Sequence, residues 1–176
     1  RDAERQATKA KTSQKKNQVE PAKFDEVARP ITRLLQSPTT ISRAEQLMVM
    51  WATCARPGCT LQLKKEDVAV VGVNGLRVVF RRGKAQQLMK RPLPIHTNIP
   101  SAWAQPLRDL LARTAVGQFL WPFPTAMARG LGTKALSDDL RTTNPLLRAR
   151  SIRRGALRHM AAAGVPEETL LMFSGH

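Results

Sequence analysis

Residues 68–73 (VAVVGV) and 76–82 (LRVVFRR) are two apolar, β-branched runs joined by Asn74-Gly75, and they constrain the fold more tightly than any other stretch. Asn-Gly supplies the two positive-φ positions of a type I′ turn, so this spacing predicts an antiparallel hairpin. Gly83-Lys84 marks the next turn, and Lys90–Ile95 is predicted to return as a third strand. Pro92 and Pro94 lack the N–H that a central strand needs, which assigns that strand to the sheet edge. The sequence on both sides has helical periodicity. The expected class is therefore α+β, mainly α: a helical domain carrying a small three-stranded antiparallel sheet.

Helix signals divide the rest of the chain. Ser42-x-x-Glu45 reads as a capping box ahead of Leu47, Met48, Met50 and Trp51. That helix should end near Cys54, because Pro57 disfavours helical geometry at Arg56; a short helix is expected over Cys59–Leu63. Leu107, Leu110 and Leu111 mark a helix after Ser101. A Pro/Trp/Phe-rich connection, a helix around Lys134–Arg141 and two terminal helices follow. The first terminal helix ends at Gly164 and should bury Ile152, Ala156, Leu157, Met160 and Ala163; the second opens at Pro166-Glu167-Glu168. Ahead of all this, residues 1–20 are polar and read as a flexible basic arm. Residues 21–40 form a lead-in helix or linker, with Phe24, Val27, Ile31, Leu34 and Leu35 interrupted by Pro30, and 41–176 form the core.

Twenty-nine Lys and Arg against 13 Asp and Glu leave a net charge of +16 on 176 residues. Such an excess points to a polyanionic partner, nucleic acid first. No apolar run approaches the roughly 20 residues of a spanning helix, and no signal peptide opens the sequence, so neither a membrane partner nor secretion is expected. Cys54 and Cys59 match no zinc or redox spacing and read as buried thiols of a reducing compartment. His96, His159 and His176 lack ligand spacing with one another or with cysteine, so no metal site is expected.

Three short segments carry the chemistry. Arg56 stands in Ala55-Arg56-Pro57-Gly58, an abrupt corner between helices, with Asp67 eleven residues on. Lys84 sits in the turn after the second strand, with Pro92 eight residues later. The stretch 150–176, RSIRRGALRHMAAAGVPEETLLMFSGH, sets Arg150, Arg153 and Arg154 on roughly one helix face. His159 follows Arg153 by six residues and Gly164 by eleven, and the stretch closes on Gly175-His176. Singly, each has an ordinary reading: a capping arginine, a solvated lysine, a basic helix face, a packed histidine. In order, over residues 42–176, they resemble the conserved boxes of the tyrosine recombinases, the integrase family that cuts DNA through a phosphotyrosine.

That resemblance implies a DNA-strand-transferring catalytic core that needs no cofactor. Arg56 and Arg153 would clamp the phosphate, Lys84 would protonate the departing 5′ oxygen, and His176 would donate to a non-bridging oxygen. Arg150 occupies the family's histidine position; a guanidinium cannot act as a base near neutral pH, so its implied role is electrostatic. Arg81, Arg82 and Arg154 would contact DNA. The implied partners are double-stranded DNA and further copies of the chain on it. Cys59 replaces the carboxylate that the family places three residues after its first arginine. The sequence contains no tyrosine, so the nucleophile is expected after His176, with the core incomplete at its C-terminus and inactive alone. Arg150 with Ser151–Leu157 and Phe173–His176 looks more like recombinases of eukaryotic mobile elements, including those of trypanosomatids. The protein would be nuclear in that case and cytoplasmic otherwise. Two alternatives stand beside this reading. One is a basic nucleic-acid-binding or ribonucleoprotein component that binds RNA or DNA and keeps the fold without catalysis. The other is an ordinary basic helical module, in which Arg56, Lys84 and Arg153 would not cluster.

Overall fold

The computed structural model describes residues 19–81, 92–122 and 126–174. Along them run α1 (Phe24–Leu34), α2 (Ile41–Thr53), α3 (Pro57–Thr60), a 3-10 turn (Lys65–Asp67), β1 (Val68–Val71), β2 (Gly75–Phe80), β3 (Leu93–Asn98), α4 (Ser101–Arg113), α5 (Ala126–Arg141), α6 (Ala149–Ala162) and α7 (Glu167–Ser174). The three strands form one antiparallel sheet in the order β1-β2-β3, with β3 at an edge. The architecture is the mainly helical, three-stranded one that the sequence predicts. Among the described residues no helix is long and apolar enough to cross a membrane.

Helix α2 is the axle of the molecule. Every residue from Ala44 to Thr53 is buried, because α1, α4, α6 and β3 surround it. This overturns the expected capping box. The N-cap is Thr40, whose hydroxyl donates to the Leu34 carbonyl at 2.6 Å. Glu45 faces inward, fully buried, and accepts two 2.6 Å bonds from Nη2 of Arg113 on α4. A helix enclosed on all sides turns even its polar early positions toward neighbours, and a guanidinium from α4 meets this one.

Pro30 does not break α1, as its position in the sequence suggests it should; it lies buried within a continuous helix. Its missing N–H would leave the Glu26 carbonyl without a helical donor, and the Thr143 hydroxyl takes that carbonyl at 3.0 Å. The hairpin also departs from expectation. Val71 pairs with Gly75, and the positive φ falls on Gly72 (φ 59°), not on Asn74 or Gly75. The Asn74 carbonyl accepts from the Ile99 amide at 2.9 Å, so the β2–β3 pairing extends through Asn74 and moves the turn earlier. The third strand covers Leu93–Asn98, later than the expected Lys90–Ile95, and the short helix begins at Pro57 instead of Cys59. Of the expected stripe on α6, Ile152 and Ala156 are buried and Leu157 and Met160 partly so, while Ala163 is exposed. Ala163 lies past the end of the helix, where no neighbour covers it among the described residues.

An aromatic cluster fastens the helices that meet at α6. Phe24 lies 5.6 Å from Trp51 and 5.8 Å from Trp103, centroid to centroid, and His159 stacks on Phe24 at 6.0 Å. His159 also meets Trp51 at 5.7 Å, which makes it a packing residue.

The pair between Glu45 and Arg113 gives a stability test. Burial raises the Glu45 carboxyl pKa above its ordinary 4.5, and the bonds from Arg113 only partly offset this. Arg113→Ala should cost about 2–3 kcal/mol near pH 7, below the full value for breaking a buried pair because Arg113 is 42% exposed. A raised acid binds more protons folded than unfolded, so stability rises as pH falls through its folded pKa. The variant's deficit should therefore shrink on acidification toward pH 4.5, as followed by urea unfolding across pH. A deficit that grows on acidification would contradict this account.

Candidate functional site

The site begins where α2 stops. Cys54 adopts a left-handed conformation (φ 51°), and the Ala55 amide reaches back to the Met50 carbonyl at 3.2 Å. This is the backbone closure usually given to glycine. Pro57 then takes the first position of α3 and holds Arg56 extended (φ −76°, ψ 149°) as its N-cap. The corner leaves the Arg56 side chain exposed and turns the Cys54 carbonyl toward α6.

Helix α6 supplies the facing wall. Its first residue, Ala149, is tied to α5 by a 3.0 Å bond from its amide to the Ser137 hydroxyl, and the Ser151 side chain caps the Arg148 amide at 2.9 Å. Arg150, Arg153 and Arg154, spaced i, i+3 and i+4, project from its first two turns. Nη1 of Arg153 donates to the Cys54 carbonyl at 2.7 Å, and Nη1 of Arg154 to the Val19 carbonyl at 2.6 Å. Together with Arg56, Cys59, Gln62 and Thr133 these arginines line a groove of about 650 Å³.

The electrostatics of the groove are one-sided. Burial first, and then the like charge of Arg56, lower the proton affinity of the Arg153 guanidinium. Among the described residues no carboxylate lines the groove, and the first turn of α6 carries no acid. Arginines at a helix N-terminus also oppose the positive end of its dipole. An anion relieves repulsion of this kind, and a helix N-terminus and planar guanidinium forks are both suited to one.

Of the residues singled out in the sequence, Arg56, Arg150, Arg153 and Arg154 meet in this groove. Arg81 lies elsewhere, at the end of β2, paired through Nε to Asp67 at 2.5 Å. Asp67 also accepts the Lys64 amide at 3.0 Å, fastening the turn before β1. Arg82, Lys84 and His176 lie outside the described residues. Cys59 is half-buried and lines the groove, against its expected burial, because α3 begins at Pro57 and sets it on the open side. Cys54 is buried, and burial pushes its thiol pKa up to about 12. Among the described residues no group of three His, Cys, Asp or Glu could hold a metal. Sequence reasoning missed Val19, Gln62 and Thr133, and the two carbonyls that hold Arg153 and Arg154; the left-handed Cys54 carries no glycine to announce it.

No family model matches the chain, and no curated protein matches it in sequence. Solved structures do. The Tn1549 transposon integrase, residues 82–397, in complex with circular intermediate DNA superposes with a TM-score of 0.61 at 11% identity, over 91% of this chain and 58% of that one. A tyrosine-to-phenylalanine variant of that integrase with transposon right end DNA gives 0.62 at 12% identity, over 91% and 59%. The fold is that of an integrase catalytic core. The chain spans under three fifths of the integrase it matches, and within that span the integrase-type fold brings the corner after α2 against the start of α6.

Repulsion in a groove built this way predicts a gain on deleting charge. Arg56→Ala should leave the melting temperature unchanged or raise it at low salt, and high salt should erase the difference. A fall of ~3 °C or more, equivalent to roughly 1 kcal/mol in a domain of this size, would mean that Arg56 holds the corner together.

Proposed function

We propose that this chain is the DNA-binding catalytic core of a strand-transferring recombinase, the groove between α3 and α6 being where a DNA phosphate sits. The observation that carries the reading is the pairing of Arg56 with Arg153. They are 97 residues apart in sequence and close enough in space for one charge to depress the other, on an integrase-type fold with no carboxylate among the groove's described residues.

The chemistry explains the arginines. When a hydroxyl attacks a phosphodiester, negative charge grows on the non-bridging oxygens, and two guanidinium forks stabilise it through charge-assisted bonds. Arg56 and Arg153 are that clamp, and Arg150 adds charge at the rim. The tyrosine oxygen gives up its proton to water and bonds to phosphorus as the bond to the 5′ oxygen breaks, and that oxygen takes a proton from Lys84. His176 donates to a non-bridging oxygen. The ester formed keeps the energy of the bond broken, so neither ATP nor a metal is called for. These 176 residues hold no tyrosine; the nucleophile is a tyrosine outside them, and the protein assembles with further copies on DNA. The substitution of Arg150 for histidine favours a mobile-element recombinase of the eukaryotic kind, acting in the nucleus.

Binding is the first test. The 176-residue chain should bind duplex DNA and lose on the order of 10³-fold or more in affinity between 50 and 200 mM salt if six or more phosphates are contacted. It should leave no covalent adduct on a suicide substrate. Arg153→Ala should weaken binding; salt-insensitive binding, or an adduct from this chain, would overturn the reading.

Cleavage by a chain that includes the tyrosine tests Arg150. Arg150→Lys should retain partial single-turnover cleavage, because charge survives while the planar fork is lost. Arg150→Ala should cost ~10²-fold or above. A parent-like rate for Arg150→Ala would make Arg150 a bystander to the chemistry.

A further inference from the structure

The chain ahead of α1 lies along the arginine helix at three successive points. The Ala22 amide donates to the Ser151 carbonyl at 3.1 Å, and Ala22 is 4% exposed. One turn further along α6, the Ala22 carbonyl occupies the place of a side chain at Gly155: a Cβ there would stand 1.9 Å from that oxygen. Glycine inside a helix is unfavourable, and here its purpose is space. Beside it, Arg154 donates to the Val19 carbonyl at 2.6 Å, and Val19 itself lines the groove.

We propose that Val19–Lys23 is a positioning strap for Arg154, and that Gly155 is the positioning residue that seats it. The inference rests on the DNA-binding reading above. The strap holds one edge of the Arg154 guanidinium with a peptide carbonyl and leaves the other four of its five N–H donors for a phosphate next to the one gripped by Arg56 and Arg153. A long arginine side chain ordered only on binding loses rotamer entropy at that moment, whereas one already held does not. A carbonyl does this without cancelling the charge, as a carboxylate would. The groove thereby reads two adjacent phosphates of one strand, which selects a nucleic acid backbone over a lone phosphate ion.

Fluorescence anisotropy of the whole chain with a short duplex across a salt series tests this. Arg154→Ala should reduce the slope of log affinity against log salt by about 0.9, one phosphate's share. Gly155→Ala should weaken binding with Arg154 intact, and should weaken it no further in the Arg154→Ala background. Ala22→Pro, which removes the anchoring amide and adds no bulk at Gly155, should match it; circular dichroism and thermal unfolding report whether each variant folds. If Gly155→Ala fails to fold, Ala22→Pro decides. If neither folds, hydrogen exchange at the Ala22 amide of the unaltered chain decides, and DNA should slow it. Parent-like affinity in folded strap variants, losses that add in the double variant, an unchanged slope for Arg154→Ala, or DNA-independent exchange would each overturn the strap alone. Weak salt dependence in the parent, or no loss of binding in Arg153→Ala, would instead overturn the DNA-binding reading and the strap with it.

Discussion

The bond from Arg153 to the Cys54 carbonyl joins the two halves of the site, and its character matters as much as its place. A buried guanidinium is commonly matched with a carboxylate, which would fix its orientation and also cancel its charge. Here the end of α2 turns left-handed at Cys54 and presents a peptide oxygen 2.7 Å from Nη1. Arg153 is oriented, stays half-buried, and lies within reach of the like charge of Arg56. Arg154 repeats the device on the Val19 carbonyl at 2.6 Å. Where the core needs charge neutralised, the molecule uses carboxylates: Glu45 with Arg113, and Asp139 with Arg43 at 2.8 Å.

Holding like charges together requires a rigid frame, and the buried α2 supplies it. Its far end fixes the corner at Arg56, and its aromatic contacts through Trp51 bring α1 and the His159 end of α6 against it, while Phe24 of α1 also meets Trp103 of α4. Helix α6 is thus positioned by packing along its length, so its first two turns can carry arginines that the isolated helix would not favour.

The periodic parts of this fold were legible because they depend on local pattern: the β-branched strands, the stripe of Leu107 and Leu110, the stop at Gly164. What escaped was decided by neighbours distant in sequence. Glu45 has the spacing of a cap, but Arg113, 68 residues away, draws it into the core. Asn74-Gly75 has the chemistry of a type I′ turn, but pairing with β3 moves the turn to Gly72. Pro30 sits within a helix because Thr143 takes the carbonyl it orphans. At the site, residue types and spacing singled out Arg56, Arg150, Arg153 and Arg154, yet the partners that aim two of them are main-chain oxygens, which leave no residue-type signature.

Arg56 and Arg153 are proposed to grip the same phosphate. A double-mutant cycle on duplex DNA affinity, with Arg56→Ala, Arg153→Ala and both changes together at fixed salt, measures this most directly. Two forks on one phosphate depend on each other, so the double variant should lose much less than the sum of the single losses. Losses that add to within ~0.5 kcal/mol, as independent contacts do, would place the two arginines on separate phosphates and contradict the account.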